Sequence, residues 1–139
     1  MEKLTVYYHP DCSKCKKLRV LLAGQELEVD WVHYLENPLS KPDIERLLAK
    51  MKSQPSDLIR LSPEEASQHS QEDLLQMMVD NPAFLNRPIV EREDAAFLCR
   101  PLEIIQEKMP DYDWSEYLQE ISDKTTLRYP NGIYYFLQR

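Results

Sequence analysis

The fold is decided by residues 4–22, LTVYYHPDCSKCKKLRVLL. The run opens with Thr, Val and Tyr residues, which are typical of a buried strand, and a His-Pro-Asp break follows. The apolar side chains of Cys15, Leu18 and Leu22 then recur at i, i+3 and i+7, which predicts one face of an α-helix. We therefore expect Cys12 at or just before the N-terminus of this helix, with Cys15 one turn further in.

This position favours a thiolate at Cys12. Unpaired backbone N–H groups and the positive end of the helix dipole favour negative charge there. Four cations lie nearby in the sequence: Lys14, Lys16, Lys17 and Arg19. The pKa of a cysteine thiol falls from about 8.5 to between ~3.5 and ~7.5 in such surroundings. Cys12 is therefore a candidate nucleophile.

The Cys-x-x-Cys spacing between a strand and a helix predicts redox chemistry in a reduced compartment. One alternative is that the two thiols only pack against their neighbours. A zinc site is the other alternative, but no second cysteine pair or histidine pair follows at ligand spacing. We expect no metal.

The composition predicts a single globular domain, because 139 residues with 42% apolar content suffice to bury a core. The net charge of −7 argues against a nucleic-acid partner, since phosphate contacts need clustered Lys and Arg. Only two glycines are present, which excludes a Gly-rich phosphate loop, so a bound oxyanion must be held by side chains and a helix end.

No apolar run approaches the ~20 residues of a membrane span, and no signal-peptide pattern is visible. Three cysteines do not suggest a disulfide framework, and we expect a cytoplasmic protein with no membrane contact.

The central part of the chain predicts one more strand and two helices. Residues 28–35 are β-branched and aromatic, as in a strand. Ser40 with Asp43, and Ser70 with Asp73, have the spacing of helix capping pairs and precede apolar residues at helical spacing. The second of these helices must end before the following Asn-Pro.

The next part of the chain predicts a hairpin and a closing helix. Residues 89–90 read as a strand, residues 91–94 as a turn, and residues 95–99 as the partner strand. Pro101 suits the first position of a helix. Cys99 is expected to be a buried strand thiol rather than a catalytic one, because adjacent strand residues point to opposite faces.

This order predicts an α/β, thioredoxin-like fold, a mixed sheet flanked by helices, with a helical insertion at about residues 40–82. Residues 111–139 form a C-terminal extension of unassigned role. Within it the pattern predicts a short helix near residues 114–121 and a terminal extended segment, IYYFL, at residues 133–137.

Several motifs together resemble the glutaredoxin-like arsenate reductases of the ArsC family. They are Cys12 at the first strand–helix turn, YLENPLS (34–40), Arg60, LNRPIV (85–90) and LCRP (98–101). The resemblance extends from about residue 4 to residue 108, and the motifs are specific in combination.

The resemblance implies arsenate reduction on a thioredoxin-like fold. It makes Cys12 the nucleophile and assigns oxyanion binding to Arg60, Arg87 and Arg100. It also implies a cis peptide before Pro88, no bound cofactor, glutathione as co-substrate, and glutaredoxin as the protein that restores the enzyme. Independently, the Leu-Ile-Arg-Leu context of Arg60 predicts that this side chain lines the site.

The sequence departs from the family pattern at two positions. Tyr8 stands where the family has a histidine four residues before the nucleophile, and the imidazole is moved to His9, a candidate assisting group. Cys15 stands where the family often has serine. The resulting CSKC looks like the redox motif of Spx-type transcriptional regulators. Cys15 is accordingly a candidate resolving or redox partner of Cys12, with thioredoxin or glutaredoxin reducing the disulfide.

Two other functions stay open at this point. One is an Spx-like redox sensor that binds RNA polymerase, for which Cys15 is essential and the arginines need not converge. The other is a glutathione-linked thiol oxidoreductase without arsenate activity, since fold alone does not fix function. An arsenate reductase requires all three arginines near Cys12.

Overall fold

The computed structural model describes residues 1–115, 126–128 and 134–136. Its main sheet has four strands in the order β2-β1-β3-β4. Their bounds are β1 (Glu2–Tyr8), β2 (Leu27–His33), β3 (Ile89–Glu91) and β4 (Ala96–Leu98). Strand β1 pairs parallel with β2 and antiparallel with β3, and β3 pairs antiparallel with β4. The sheet is therefore mixed, and the predicted hairpin is confirmed.

Helices connect and cover these strands. They are α1 (Ser13–Ala23), α2 (Lys41–Met51), α3 (Pro55–Leu58), α4 (Pro63–Ala66), α5 (Gln71–Asp80), the 3₁₀ helix η1 (Pro82–Phe84) and α6 (Ile104–Lys108). Helices α2 to α5 and η1 all lie between β2 and β3 in the chain, as the predicted helical insertion requires. The thioredoxin-like fold expected from the sequence is confirmed. A separate antiparallel pair is formed by β5 (Thr126–Arg128) and β6 (Tyr134–Phe136).

The two predicted helix caps are present. The Ser40 hydroxyl accepts a hydrogen bond from the Asp43 N–H (3.2 Å), and the Asp43 carboxylate accepts one from the Ser40 N–H (3.0 Å). Ser70 likewise accepts from the Asp73 N–H (3.1 Å). Each cap satisfies backbone donors that the first helical turn leaves free, which fixes where α2 and α5 begin.

Apolar side chains fill both faces of the sheet. One cluster joins the sheet to α1 and α6 and includes Leu4, Val6, Leu18, Leu21, Leu22, Val90, Phe97 and Ile105. The other joins the sheet to α2 and α5 and includes Tyr7, Tyr34, Ile44, Leu47, Leu74, Met78, Leu85 and Ile89. Because β1 and β3 contribute to both clusters, the turns at their ends are held by packing on both sides.

Three predicted boundaries are wrong. Strand β2 ends at His33 rather than at residue 35, because the His33 carbonyl accepts from the N–H groups of Glu36 (3.1 Å) and Asn37 (2.9 Å) and turns the chain. Pro101 does not begin the last helix. Its carbonyl accepts from the Ile104 N–H (3.1 Å) in a preceding turn, and α6 begins at Ile104.

The third correction concerns Glu91, which ends β3 instead of opening a turn. Its side chain is buried, and hydrogen bonds from Tyr7 Oη (2.6 Å), Arg46 Nε (2.9 Å) and Lys50 Nζ (2.8 Å) offset the cost of burying its charge. At the C-terminus, β6 falls within the predicted extended segment, whereas most of the predicted helix at residues 114–121 lies outside the described residues. Among the described helices, none is long and apolar enough to cross a membrane.

Candidate active site

The site is built around Cys12, the N-cap residue of α1. Its backbone is extended (φ −93°, ψ 118°), and its carbonyl accepts the first helical hydrogen bond from the Lys16 N–H (3.1 Å). The Cys12 N–H donates to the His9 carbonyl (3.3 Å), which closes the turn after β1. The side chain is only 6% exposed. The sequence prediction of a thiol at this helix N-terminus is confirmed in position.

The surroundings lower the pKa of Cys12 to about 5. The largest influence is the Cys15 thiol, which donates a hydrogen bond to the Cys12 thiolate. Burial opposes this and raises the pKa, while the backbone amides of Cys15 and Lys14 and the Arg87 side chain lower it again. Donors to the charged form favour ionisation, so Cys12 is a thiolate at neutral pH.

Cys15 behaves in the opposite way. Its pKa is raised far above the ordinary value, first by its interaction with Cys12 and then by burial, and its side chain is 3% exposed. One proton is therefore held between two thiols, and Cys15 keeps it. The two cysteines form an asymmetric pair of one nucleophile and one hydrogen-bond donor.

Arg87 is a cation that contacts this pair. Its guanidinium interacts with the Cys12 sulfur and with the Tyr34 hydroxyl. Its Nε atom is buried without a hydrogen-bond partner, and it is the one such side-chain atom among the described residues. A buried guanidinium donor without an acceptor is costly, and an oxyanion bound beside Cys12 would satisfy it.

Arg100 is joined to Arg87. Its Nη1 donates to the Arg87 carbonyl (3.2 Å), so the segment after β4 is tied to the segment before β3. The peptides before Pro88 and Pro101 are both cis, the first as the resemblance implies. Both arginines are half-buried at the same end of the sheet as Cys12.

Arg60 lies in the helical insertion, just after α3. An isolated bridge pairs Ile59 with Leu85, and the Arg60 N–H donates to the Phe84 carbonyl (2.7 Å). Its side chain is exposed, unlike those of its neighbours Leu58 and Ile59. The positive charge of Arg60 nevertheless contributes to lowering the His9 pKa, so the guanidinium lies on the side of the molecule that carries Cys12.

His9 is half-buried beside these groups. Burial and, after it, the Arg87 charge lower its pKa, so the imidazole is neutral at pH 7. Its Nδ1 accepts from the Asp11 N–H (3.0 Å), which places the proton on Nε2. His9 is therefore a hydrogen-bond donor at this site and not a cation.

A groove of about 190 Å³ leads from the surface to Cys15 and is lined by Tyr8, His9, Pro10, Cys15, Lys16 and Arg19. Arg19 lies over the Trp31 ring at 4.2 Å and the Tyr8 ring at 5.5 Å. Cation–π contacts of this kind hold the guanidinium in place at the groove wall.

Sequence reasoning missed Tyr34. This residue is buried, donates from its hydroxyl to the Leu85 carbonyl (3.2 Å) and interacts with Arg87. It thereby supports the segment that carries Arg87. The signal was present, since Tyr34 opens the YLENPLS motif. Cys99 is fully buried, as predicted, and its thiol donates to the Leu102 carbonyl (3.7 Å). No group of three or more metal-ligating side chains occurs in the described part of the chain.

Comparison with known proteins gives consistent matches. The sequence model of the ArsC family matches residues 7–108, which include Cys12 and all three arginines. An arsenate reductase from Acidiphilium multivorum is 28% identical over 89% of this chain and 93% of that protein. The arsenate reductase from Escherichia coli K12 is 27% identical with the same coverage. The structure of an arsenate reductase from Vibrio cholerae superimposes with a TM-score of 0.68 at 27% identity, covering 76% of this chain and 97% of that one.

Proposed function

Because the chain belongs to the ArsC family, we propose that it is a thiol-dependent arsenate reductase that converts arsenate to arsenite. The observation that carries this proposal is the contact between Arg87 and Cys12. A thiolate nucleophile lies beside a guanidinium whose buried Nε has no acceptor. The named relatives are arsenate reductases, which agrees with this chemistry.

In the proposed mechanism the Cys12 thiolate attacks arsenic. An S–As bond forms, and one arsenate oxygen leaves as water after protonation. Arsenate carries one to two negative charges, so attack by a thiolate meets repulsion unless cations neutralise the oxygens. Arg60, Arg87 and Arg100 are proposed to do this, because guanidinium groups stay charged and bind oxyanions through paired N–H donors.

His9 assists in this proposal as a neutral donor. Its Nε2–H would hydrogen-bond an arsenate oxygen or the departing water rather than accept a proton from Cys12, which is already ionised. The electrons come from glutathione, which glutaredoxin links to the enzyme. Arsenic is reduced by two electrons as two thiols are oxidised to one disulfide.

The test is arsenate-dependent NADPH oxidation in a coupled assay with glutathione, glutaredoxin and glutathione reductase. We expect turnover in the wild-type protein and none in Cys12→Ser, because serine is not ionised at this pH. Arg87→Lys should lose most of the rate although the charge is kept, since lysine has no planar fork of donors.

Cys99→Ala is the matched control, because it removes a buried thiol whose hydrogen-bond partner is the Leu102 carbonyl. It should keep the wild-type rate. Absence of arsenate-dependent oxidation with this system and with a thioredoxin couple would contradict the proposal and favour an Spx-like regulator. Normal turnover in Arg87→Lys would contradict the role given to that residue.

A further inference from the structure

We propose that Cys15 is the resolving thiol of this site, attacking the Cys12–arsenic adduct so that arsenite leaves and a Cys12–Cys15 disulfide remains. This inference rests on the proposed function and adds to it. Glutathione or glutaredoxin is then needed only after arsenite has formed, to reduce the disulfide.

The geometry supports the step because the two sulfurs are already partners. Cys12 caps α1, Cys15 lies in its first turn, and the Cys15 thiol donates to the Cys12 thiolate. Side chains three residues apart at the start of a helix lie on one face, so the two thiols are neighbours. Both thiols are buried, so Cys15 is next to the adduct before any external thiol arrives.

The negative charge on Cys12 determines when Cys15 can react. Cys15 stays protonated chiefly because Cys12 is ionised beside it. Once Cys12 is bonded to arsenic, its negative charge and its acceptor role are lost, and this cause disappears. The backbone N–H of His9 and the charge of Arg87, which lower the Cys15 pKa, then act without that opposition. Burial still raises the Cys15 pKa, but formation of the adduct removes the larger cause and makes the second thiol easier to ionise.

The step is balanced in atoms and electrons. Cys15 loses its proton and its sulfur attacks the Cys12 sulfur, so an S–S bond forms and the S–As bond breaks. The electron pair of the S–As bond leaves with arsenic, which goes from As(V) to As(III). The two sulfurs together lose two electrons. No reductant outside the chain takes part in this half of the cycle.

The groove described above gives access for the other half of the cycle, in which an external thiol reduces the Cys12–Cys15 disulfide. It opens onto Cys15, and the exposed cations Lys16 and Arg19 line it. A positive wall favours approach of an external thiolate, which is the species that attacks a disulfide. A thiol reductant entering here reaches the Cys12–Cys15 bond from the Cys15 side.

The decisive experiment omits every external thiol. The reduced protein is freed of reductant, mixed anaerobically with excess arsenate, and assayed for arsenite by arsenic speciation and for disulfides by peptide mass mapping. We expect about one arsenite per chain from the wild type, with Cys12 and Cys15 joined and Cys99 free. Cys99→Ala should give the same result.

The Cys15 variants test the same residue directly. Cys15→Ser, whose hydroxyl can still donate to the Cys12 thiolate, should form no arsenite without added thiol and should regain it when glutathione is supplied, as a Cys12–glutathione mixed disulfide accumulates. Cys15→Ala should do the same when it is assayed near pH 9, where its Cys12 is ionised. Rescue by glutathione shows that the variant is folded and that its Cys12 still attacks arsenate.

Two outcomes overturn the inference and are distinguishable. If the wild type forms arsenite only with glutathione and the mixed disulfide is trapped at Cys12 while Cys15 stays free, Cys15 is not the resolving thiol and the proposed function stands. If neither condition gives arsenite with any of the variants or the wild type, the proposed function fails and the inference fails with it.

Discussion

At the level of single residues, the site depends on an unequal pair of thiols. Burial alone would raise the pKa of Cys12, as it does for Cys99, whose pKa rises to about 12. For Cys12 the hydrogen-bond donors lower the pKa by more than burial raises it. Cys15 contributes the largest of these effects, and the start of α1 and Arg87 add to it.

This balance predicts the pH dependence of the thiolate. Thiolate absorbance at 240 nm should appear with a midpoint near pH 5 in the wild type, because neither Cys15 nor Cys99 ionises in that range. Arsenate reduction should fall as the pH drops through the same midpoint. In Cys15→Ala the largest lowering influence is gone, and the midpoint should rise toward the ordinary value near 9.

Cys99→Ala serves as the control and should titrate as the wild type does. A wild-type midpoint above pH 7, or an unchanged midpoint in Cys15→Ala, would contradict the account of how Cys12 is ionised.

Local sequence patterns predict the position of Cys12 at the helix cap well, and the exposure of the Arg60 side chain less well. The strand, the break and the helical spacing of residues 4–22 are local features, so the helix cap at Cys12 follows from them. The exposure of Arg60 does not follow from its apolar neighbours, because it depends on the Ile59–Leu85 bridge between segments distant in sequence. The unpaired Nε of Arg87 is likewise a property of the assembled site.

At the level of secondary-structure elements, a charge network joins the sheet to the insertion. Glu91 of β3 accepts from Tyr7 of β1 and from Arg46 and Lys50 of α2. Burial raises the pKa of Glu91, but these donors lower it by a larger amount, so the pKa falls from the ordinary 4.5 to about 2. No local pattern in the sequence indicates this network, since residues 91–94 look like a charged turn.

We predict that Glu91→Gln lowers the free energy of unfolding by about 2 kcal/mol at pH 7, because hydrogen bonds to a buried charge are lost. The folded pKa of Glu91 is below the ordinary value of 4.5, so its contribution is present above that value and is lost as the pH falls toward 2. The difference between variant and wild type in urea titrations should therefore be constant from pH 5 to 8 and shrink below about pH 4.

Glu93→Gln is the matched control, because Glu93 is an exposed acid two residues further along. It should change stability by less than about 0.5 kcal/mol. Equal effects of the two substitutions, or a difference that does not change with pH, would show that the network does not stabilise the fold.

At the level of the whole molecule, the proposed function requires an acidic chain to bind an anion with a few local cations. The net charge is −7. Screening limits that field to about 8–10 Å at physiological salt, so cations within contact distance of the ligand decide binding. Arg60, Arg87 and Arg100 come from three segments that follow α3, precede β3 and follow β4. If these three arginines bind the anion as proposed, the fold, and no single motif, creates the positive site.

The proposed anion site predicts that arsenate stabilises the folded chain. In a Cys12→Ser background, where no reaction occurs, arsenate at about 100 times its dissociation constant should add about 2.7 kcal/mol and raise Tm by several degrees. Arg60→Ala in the same background should lose most of this shift, because the exposed guanidinium of Arg60 is proposed to bind the arsenate oxygens. Lys3→Ala, which removes an exposed cation on β1, should keep the full shift. If Arg60→Ala responds to arsenate as its parent does, Arg60 lies outside the anion site, and Arg87 and Arg100 alone must neutralise the arsenate oxygens.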